Sequence, residues 1–312
     1  MEDWQALLGA GADVFRLNTS HLSLDELAGW LERYNTFQAR LGKEIPLVLD
    51  LQGSKWRLGR LPSQVLTPGQ EIELVLADQV QSPGILPVPH VDFFLAAENS
   101  SSQIVLNDAR IRLKILKTNQ AALLAEVILG GEISTRKGVT YAASSYRLEK
   151  LSQKDQSIVT QTRQFPFVRY AISYVKDAVE MAKFREAVGP SCYLVAKLER
   201  RPAVDQAIRM AESADELWLC RGDLGAELGL KAMAEAVYRL SQKIRRIKVP
   251  VMLAGQVLEH LTDHPQPTRS EVCHLYEMLL IGYRGVVLSD ETAIGKFPLE
   301  SVRSAAIFRE NQ

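Results

Sequence analysis

Seven short apolar runs, rich in β-branched residues, recur along the chain with helical patterns between most of them. They are ADVFRLN (12–18), IPLVLDL (45–51), FVRYAIS (167–173), CYLVAKLE (192–199), ELWLCRGD (216–223), VPVMLAG (249–255) and GVVLSDE (285–291). Segments such as PAVDQAIRMAESA (202–214) and AMAEAVYRLSQKIRR (232–246) carry apolar residues at helical spacing. Parallel strands cannot be joined by a tight turn, so this alternation calls for a parallel sheet wrapped by helices. A chain of 312 residues is of β/α-barrel size, and seven strands are one short of the eight that close a TIM-type barrel.

The rhythm breaks between about 60 and 140. GQEIELVLA, QIVLNDARIRLKIL and AALLAEVIL are strand-like and separated by turns rich in Pro, Gly, Asn and Ser, with no helical pattern. The expectation is a (β/α) barrel from 1–59 and 141–312 with a small all-β lid domain inserted at 60–140. Loops after barrel strands line the active mouth, which places such an insertion where a lid is useful.

Composition removes several classes of partner. Lys+Arg and Asp+Glu both number 37, so nothing favours a nucleic acid or an anionic membrane surface. No run approaches the length needed to span a bilayer, and MEDWQALLGAGADV lacks the basic region of a secretory signal. Three cysteines without framework spacing read as reduced thiols. A soluble cytoplasmic protein acting on a small molecule is expected.

Side chains alternate along a strand, so Lys197 and Glu199 finish the face that Tyr193 and Val195 begin. The following run ends in RGDLG (221–225), which brings Asp223 to the next strand end. Two carboxylates at adjacent strand ends suit a hard divalent cation such as Mg²⁺ or Mn²⁺, which keeps water or substrate oxygens. A salt bridge at the barrel rim is the plainer reading of one strand. Two strands with the same habit favour an active site.

The segment KLERRPAVDQAIRMAESADELWLCRGDLGAEL resembles the metal-binding region of the pyruvate kinase family. GADVFRLNTSH (11–21), LDLQGSKWRLG (49–59), LNDARIRL (106–113), RKGV (136–139), HPQPTRSEV (264–272) and LSDETAIGKFPLESV (288–302) resemble further family motifs in the same order. The resemblance implies phosphoryl transfer from phosphoenolpyruvate to ADP with Mg²⁺. Glu199 and Asp223 then hold the metal, Lys197 and Arg16 act on the migrating phosphoryl group, and Ser289 matches a serine linked to proton delivery. Gly222, Asp223 and Gly255 fall at the substrate, and Arg57, His21, Lys137 and Asp108 on the phosphate and nucleotide side. Asn18, Ser20 and Asp50 match the family's monovalent-cation ligands. Lys55, with Leu51 and Gln52, resembles the subset in which an ammonium replaces that ion, so K⁺ is not expected to be required.

Departures from the pattern are specific. Gly255 stands for a threonine near the methyl end of the bound enolate, Ile294 for a lysine in the nucleotide segment, and YVKD (174–177) for Phe-Ile-Arg-Lys. Asn107 and Ala109 flank Asp108 where the family has Asp and Gly. No match to the C-terminal regulatory domain or the first barrel strand is present, which suggests a monomer or homodimer. A lyase, aldolase or decarboxylase acting on a 2-oxo acid through an enolate, and a non-catalytic relative, are the alternative functions.

Overall fold

The computed structural model describes residues 2–53, 56–97, 103–107, 110–141 and 151–309. The chain forms two compact units, Met1–Gly53 with Leu151–Arg221 and Glu235–Gln312, and Ser54–Lys150 with Gly222–Ala234.

The first unit opens with α1 (Glu2–Ala10), β1 (Phe15–Asn18), α2 (Leu24–Leu41) and β2 (Leu47–Leu51). Ser23 and Glu26 form a capping box that starts α2, and Gly42, at φ +65°, ends it. The second unit then follows with β3 (Gln64–Leu66), β4 (Glu71–Val75), β5 (Ile85–Pro87), α3 (Val91–Ala97), β6 (Gln103–Leu106), β7 (Ile111–Thr118), β8 (Ala122–Leu129), β9 (Gly131–Ile133) and β10 (Val139–Tyr141). Six of its strands form a sheet in the order β10-β6-β7-β8-β4-β5, and β3 pairs with β9. Trp56, Phe93 and Tyr141 pack at its centre, the last two stacked at 4.7 Å. The insertion is therefore β-rich but not all-β. In VDFFLAA, Phe93, Phe94 and Ala97 bury one face of a single helix of seven residues, too short to show periodicity in sequence.

The chain returns to the first unit through α4 (Gln153–Thr162), β11 (Val168–Ile172), α5 (Ala178–Val188), β12 (Tyr193–Leu198), α6 (Arg201–Asp205), α7 (Ala207–Met210) and β13 (Glu216–Cys220). The helices α8 (Arg221–Leu228) and α9 (Leu230–Ser241) follow, then β14 (Val251–Ala254), α10 (Arg269–Ile281), β15 (Gly285–Val287), α11 (Asp290–Ala293) and α12 (Pro298–Ala305).

Seven strands make one parallel sheet in chain order, β1-β2-β11-β12-β13-β14-β15. Each βα crossover advances the chain by one strand in the same direction, the connectivity of a (β/α) barrel. One face presents Val48, Ala171, Val195, Trp218 and Ala254 as an inner cluster. Alternate residues such as Leu49, Tyr170, Leu194, Leu217 and Leu253 are also buried, at 0–1% exposure, which is why these strands read as continuous apolar runs. Among the described residues β1 and β15 are the edges of the sheet and do not pair with each other. No described helix is long and apolar enough to cross a membrane.

Candidate active site

Strand alternation carries the inner face from apolar to charged. On β12, Val195 packs in the inner cluster, and Lys197 follows two residues on with Glu199 just past the strand. On β2 the same step runs from Val48 to Asp50, and β1 brings Arg16 opposite Val48. Three strands thus deliver a group of charges toward their C-terminal ends, with Asp50, Lys197 and Glu199 buried and Arg16 partly exposed.

Asp50 is its centre. The Arg16 guanidinium donates to Asp50 Oδ2 from Nε at 2.8 Å and also from Nη2. Lys197 Nζ donates to both Asp50 oxygens at 3.2 Å, to Ser173 Oγ at 2.9 Å, and pairs with Glu199 Oε1 at 2.9 Å. The Ser173 hydroxyl donates to Asp50 Oδ1 at 3.0 Å. Glu199 Oε2 accepts the Tyr174 N–H at 2.7 Å, and Tyr174 holds φ +61°, a left-handed conformation costly for an aromatic residue.

Burial by itself favours the neutral acid at Asp50, but Lys197 and Arg16 outweigh it and hold the carboxyl at about 2. Burial likewise favours a neutral amine at Lys197, but Asp50 and Glu199 raise its pKa above the usual lysine value. A depressed acid stabilises the fold above its unfolded pKa and loses that contribution as pH falls through the folded one. A raised lysine stabilises below its unfolded pKa and loses that at higher pH. Asp50 and Lys197 therefore both stay charged across neutral pH. Asp50→Asn is expected to lose on the order of 2 kcal/mol of stability at neutral pH from this shift. In urea unfolding, its gap from wild type should close between about pH 4 and pH 2. A gap that is constant over that window would show that Asp50 is not held as an ion pair.

The other expected site residues are placed as follows. Asn18 Oδ1 accepts the Ser20 N–H at 3.1 Å, and Lys154 Nζ donates to the carbonyls of Thr19 (2.8 Å) and Ser20 (3.2 Å). Gly255 follows β14 at φ +83°, and its carbonyl accepts Arg221 Nε at 3.0 Å and Nη2 at 2.8 Å. Ser289 N–H donates to Glu291 at 2.7 Å. Gly222 and Asp223 lie in the first turn of α8, within the segment grouped with the second unit. In that unit Arg57 Nη1 donates to the Arg136 carbonyl at 3.0 Å, and the Lys137 carbonyl accepts the Leu58 N–H at 2.9 Å. Lys55 and Asp108 lie outside the described residues, as does the His21 side chain. Ile294 is 76% exposed.

Three groups carry more than their sequence shows. Ser173 follows β11 directly and ties Lys197 to Asp50. Glu291, 1% exposed, accepts N–H groups from Leu258 (3.2 Å) and Ser289, bracing the segments after β14 and β15. Asp155, equally buried, accepts the N–H groups of Gln52 (3.2 Å) and Gly53 (3.1 Å). A Cβ at Gly53 would meet the Ser173 carbonyl at 1.9 Å, so glycine is required in that turn.

The donor set fits a hard divalent cation. Glu199 offers carboxylate oxygens, the donor type a hard divalent cation takes, beside a lysine.

The family model for the pyruvate kinase barrel domain matches residues 1–302. The chain belongs to the pyruvate kinase family. It is 31% identical over 305 residues to a pyruvate kinase of Methylorubrum extorquens, covering 96% of this chain and 63% of that one. One from Agrobacterium vitis is 32% identical over 304 residues, with coverage of 96% and 63%. For a pyruvate kinase of Haemophilus influenzae the identity is 28% over 311 residues, covering 97% and 65%. The chain thus spans less than two thirds of the length of these pyruvate kinases.

Proposed function

We propose that this chain is a phosphotransferase of the pyruvate kinase type, moving a phosphoryl group from phosphoenolpyruvate to ADP. The observation that carries the reading is the Arg16–Asp50–Lys197–Glu199 cluster at the ends of parallel strands, in which the last three are buried. In the reaction the bond from phosphorus to the enol oxygen breaks, a bond to the terminal ADP oxygen forms, and the enolate takes a proton to give pyruvate. Negative charge shifts between oxygens throughout, so fixed cations do most of the work. Lys197, held protonated, faces that charge, and the Arg16 fork suits a phosphoryl group. Glu199 and Asp223 would hold Mg²⁺, which would supply charge neutralisation. Ser289 is assigned to proton delivery, Gly222 and Gly255 to the substrate, and Arg57, His21, Lys137 and Asp108 to the phosphate and nucleotide side.

A lactate-dehydrogenase-coupled assay tests this. Pyruvate formation that needs both ADP and Mg²⁺ is expected. The exposed apolar Ile294, where relatives carry a lysine, supports a second reading as a 2-oxo-acid lyase or decarboxylase. Metal-dependent turnover of a 2-oxo acid, with none of phosphoenolpyruvate, would select it.

Potassium independence belongs to the same proposal. Asp50 already accepts from Arg16, Lys197 and Ser173, and the Lys154 ammonium sits on the Thr19 and Ser20 carbonyls. At an effective dielectric near 20, a further cation about 4 Å from an ammonium is opposed by roughly 4 kcal/mol, and the family resemblance gives Lys55 the same role. Rates in sodium, potassium and tetramethylammonium salts are expected to agree within about twofold. A rise of about tenfold or more on adding potassium, some 1.4 kcal/mol, would refute it.

A further inference from the structure

An arginine keeps its charge at any working pH and only donates, so whatever its nitrogens touch must accept. Arg221, which opens α8 directly after β13, uses all three nitrogens of its fork in this way. Nε at 3.0 Å and Nη2 at 2.8 Å donate to the Gly255 carbonyl, and Nη2 also donates to the Gln256 carbonyl at 2.8 Å. Nη1 lies 2.9 Å from Nε2 of His274, on α10.

Two of these acceptors belong to a turn that needs outside support. Gly255 at φ +83° and Gln256 at φ +51° are consecutive left-handed residues, and Gln256 adopts that conformation without the freedom of glycine. Both carbonyls face the same guanidinium, so one side chain holds the turn that follows β14.

The third acceptor is the one that can change. Because Arg221 donates, Nε2 of His274 must offer its lone pair, which puts the ring proton on Nδ1 and leaves the ring neutral. A second proton can go only to Nε2. It removes the acceptor and sets an imidazolium against a guanidinium at hydrogen-bond distance. Burial and the Arg221 charge hold the ring below the ordinary histidine value, and Glu277, on the same helix, opposes them. Tyr283 and Glu291 act on the guanidinium from the segments before and after β15.

We propose that His274 is a positioning residue for the reaction. As a neutral ring it orients Arg221 on the Gly255 and Gln256 carbonyls, and on protonation it releases that hold. The proposal rests on the phosphotransfer reading where that reading places Gly255 at the substrate.

The test pairs NMR of the intact chain, with isotopically labelled imidazoles, with turnover of phosphoenolpyruvate and ADP over the same pH range. His274 is expected to carry its proton on Nδ1 at neutral pH, and the Gly255 and Gln256 backbone resonances to move with its titration. Wild-type turnover should fall with the same midpoint. In His274→Gln the amide oxygen reaches where Nε2 stood and does not titrate. That variant should lose the acid limb and stay within about threefold of the neutral wild-type rate. His274→Leu, with no acceptor, should lower turnover by about tenfold or more at every pH, because the loop is misplaced. A proton on Nε2, or Gly255 and Gln256 resonances that ignore the titration, would overturn the proposal. So would an acid limb that survives in His274→Gln, or a leucine variant with the wild-type rate and profile. If the NMR results hold and phosphoenolpyruvate is not turned over, the hold on Gly255 stands and the phosphotransfer reading fails.

Discussion

Lys197→Met is expected to lower turnover by at least about three orders of magnitude, some 4 kcal/mol of transition-state stabilisation. Lys197 Nζ is the point where Asp50, Ser173 and Glu199 meet, and its pKa is raised, so it carries a full charge wherever the reaction is run. Methionine keeps the volume and removes the charge. The substitution also takes a cation from two carboxylates, Asp50 at 3% and Glu199 at 1% exposure, which costs about 3–5 kcal/mol of stability in buried pairs. Urea unfolding and single-turnover rates below the melting transition separate the two effects. A folded Lys197→Met protein within about tenfold of wild type would show that the lysine only braces the strands.

Glu199→Gln is the second large effect. The carboxylate joins three things: the Lys197 ammonium, the Tyr174 N–H and the proposed metal. Glutamine can still accept from Tyr174, but then its amide N–H₂ faces an ammonium where an anion stood. Divalent-cation affinity should fall by more than about tenfold, or 1.4 kcal/mol, as measured by calorimetric titration with Mn²⁺. Asp223→Asn should act in the same direction. Unchanged affinity in both variants would remove the metal site from this end of the sheet.

What could be read from sequence was whatever a period of two exposes. Tyr193, Val195, Lys197 and Glu199 fall on one side of a strand by counting alone, and the structure places Val195 in the inner cluster and Lys197 on Glu199. The parallel sheet followed from strand–helix alternation, since parallel strands need a crossover between them. Asp50 was legible only through the family resemblance, as a match to a monovalent-cation ligand, and not as the centre of the cluster. Its partners lie 34 and 147 residues away, and no local pattern encodes which cation arrives. Glu291 and Arg221 were hidden for a related reason, since both act on backbone groups of other segments. The short helix of the insertion escaped because two turns carry too few residues to show a period.

The distances along the chain that hid the cluster also set when it can form. Arg16, Ser173 and Lys197 reach Asp50 across separations of 34, 123 and 147 residues. Each closure costs chain entropy before any contact repays it, so nearby βα pairings precede these distant ones. Until β1, β2, β11 and β12 are all in register, the four side chains remain hydrated and apart. The charges are then a product of assembly rather than its nucleus, and they restrain unfolding more than they speed refolding. A nascent or partly unfolded chain consequently displays no concentrated charge, and the reactive arrangement exists only in molecules whose sheet is complete.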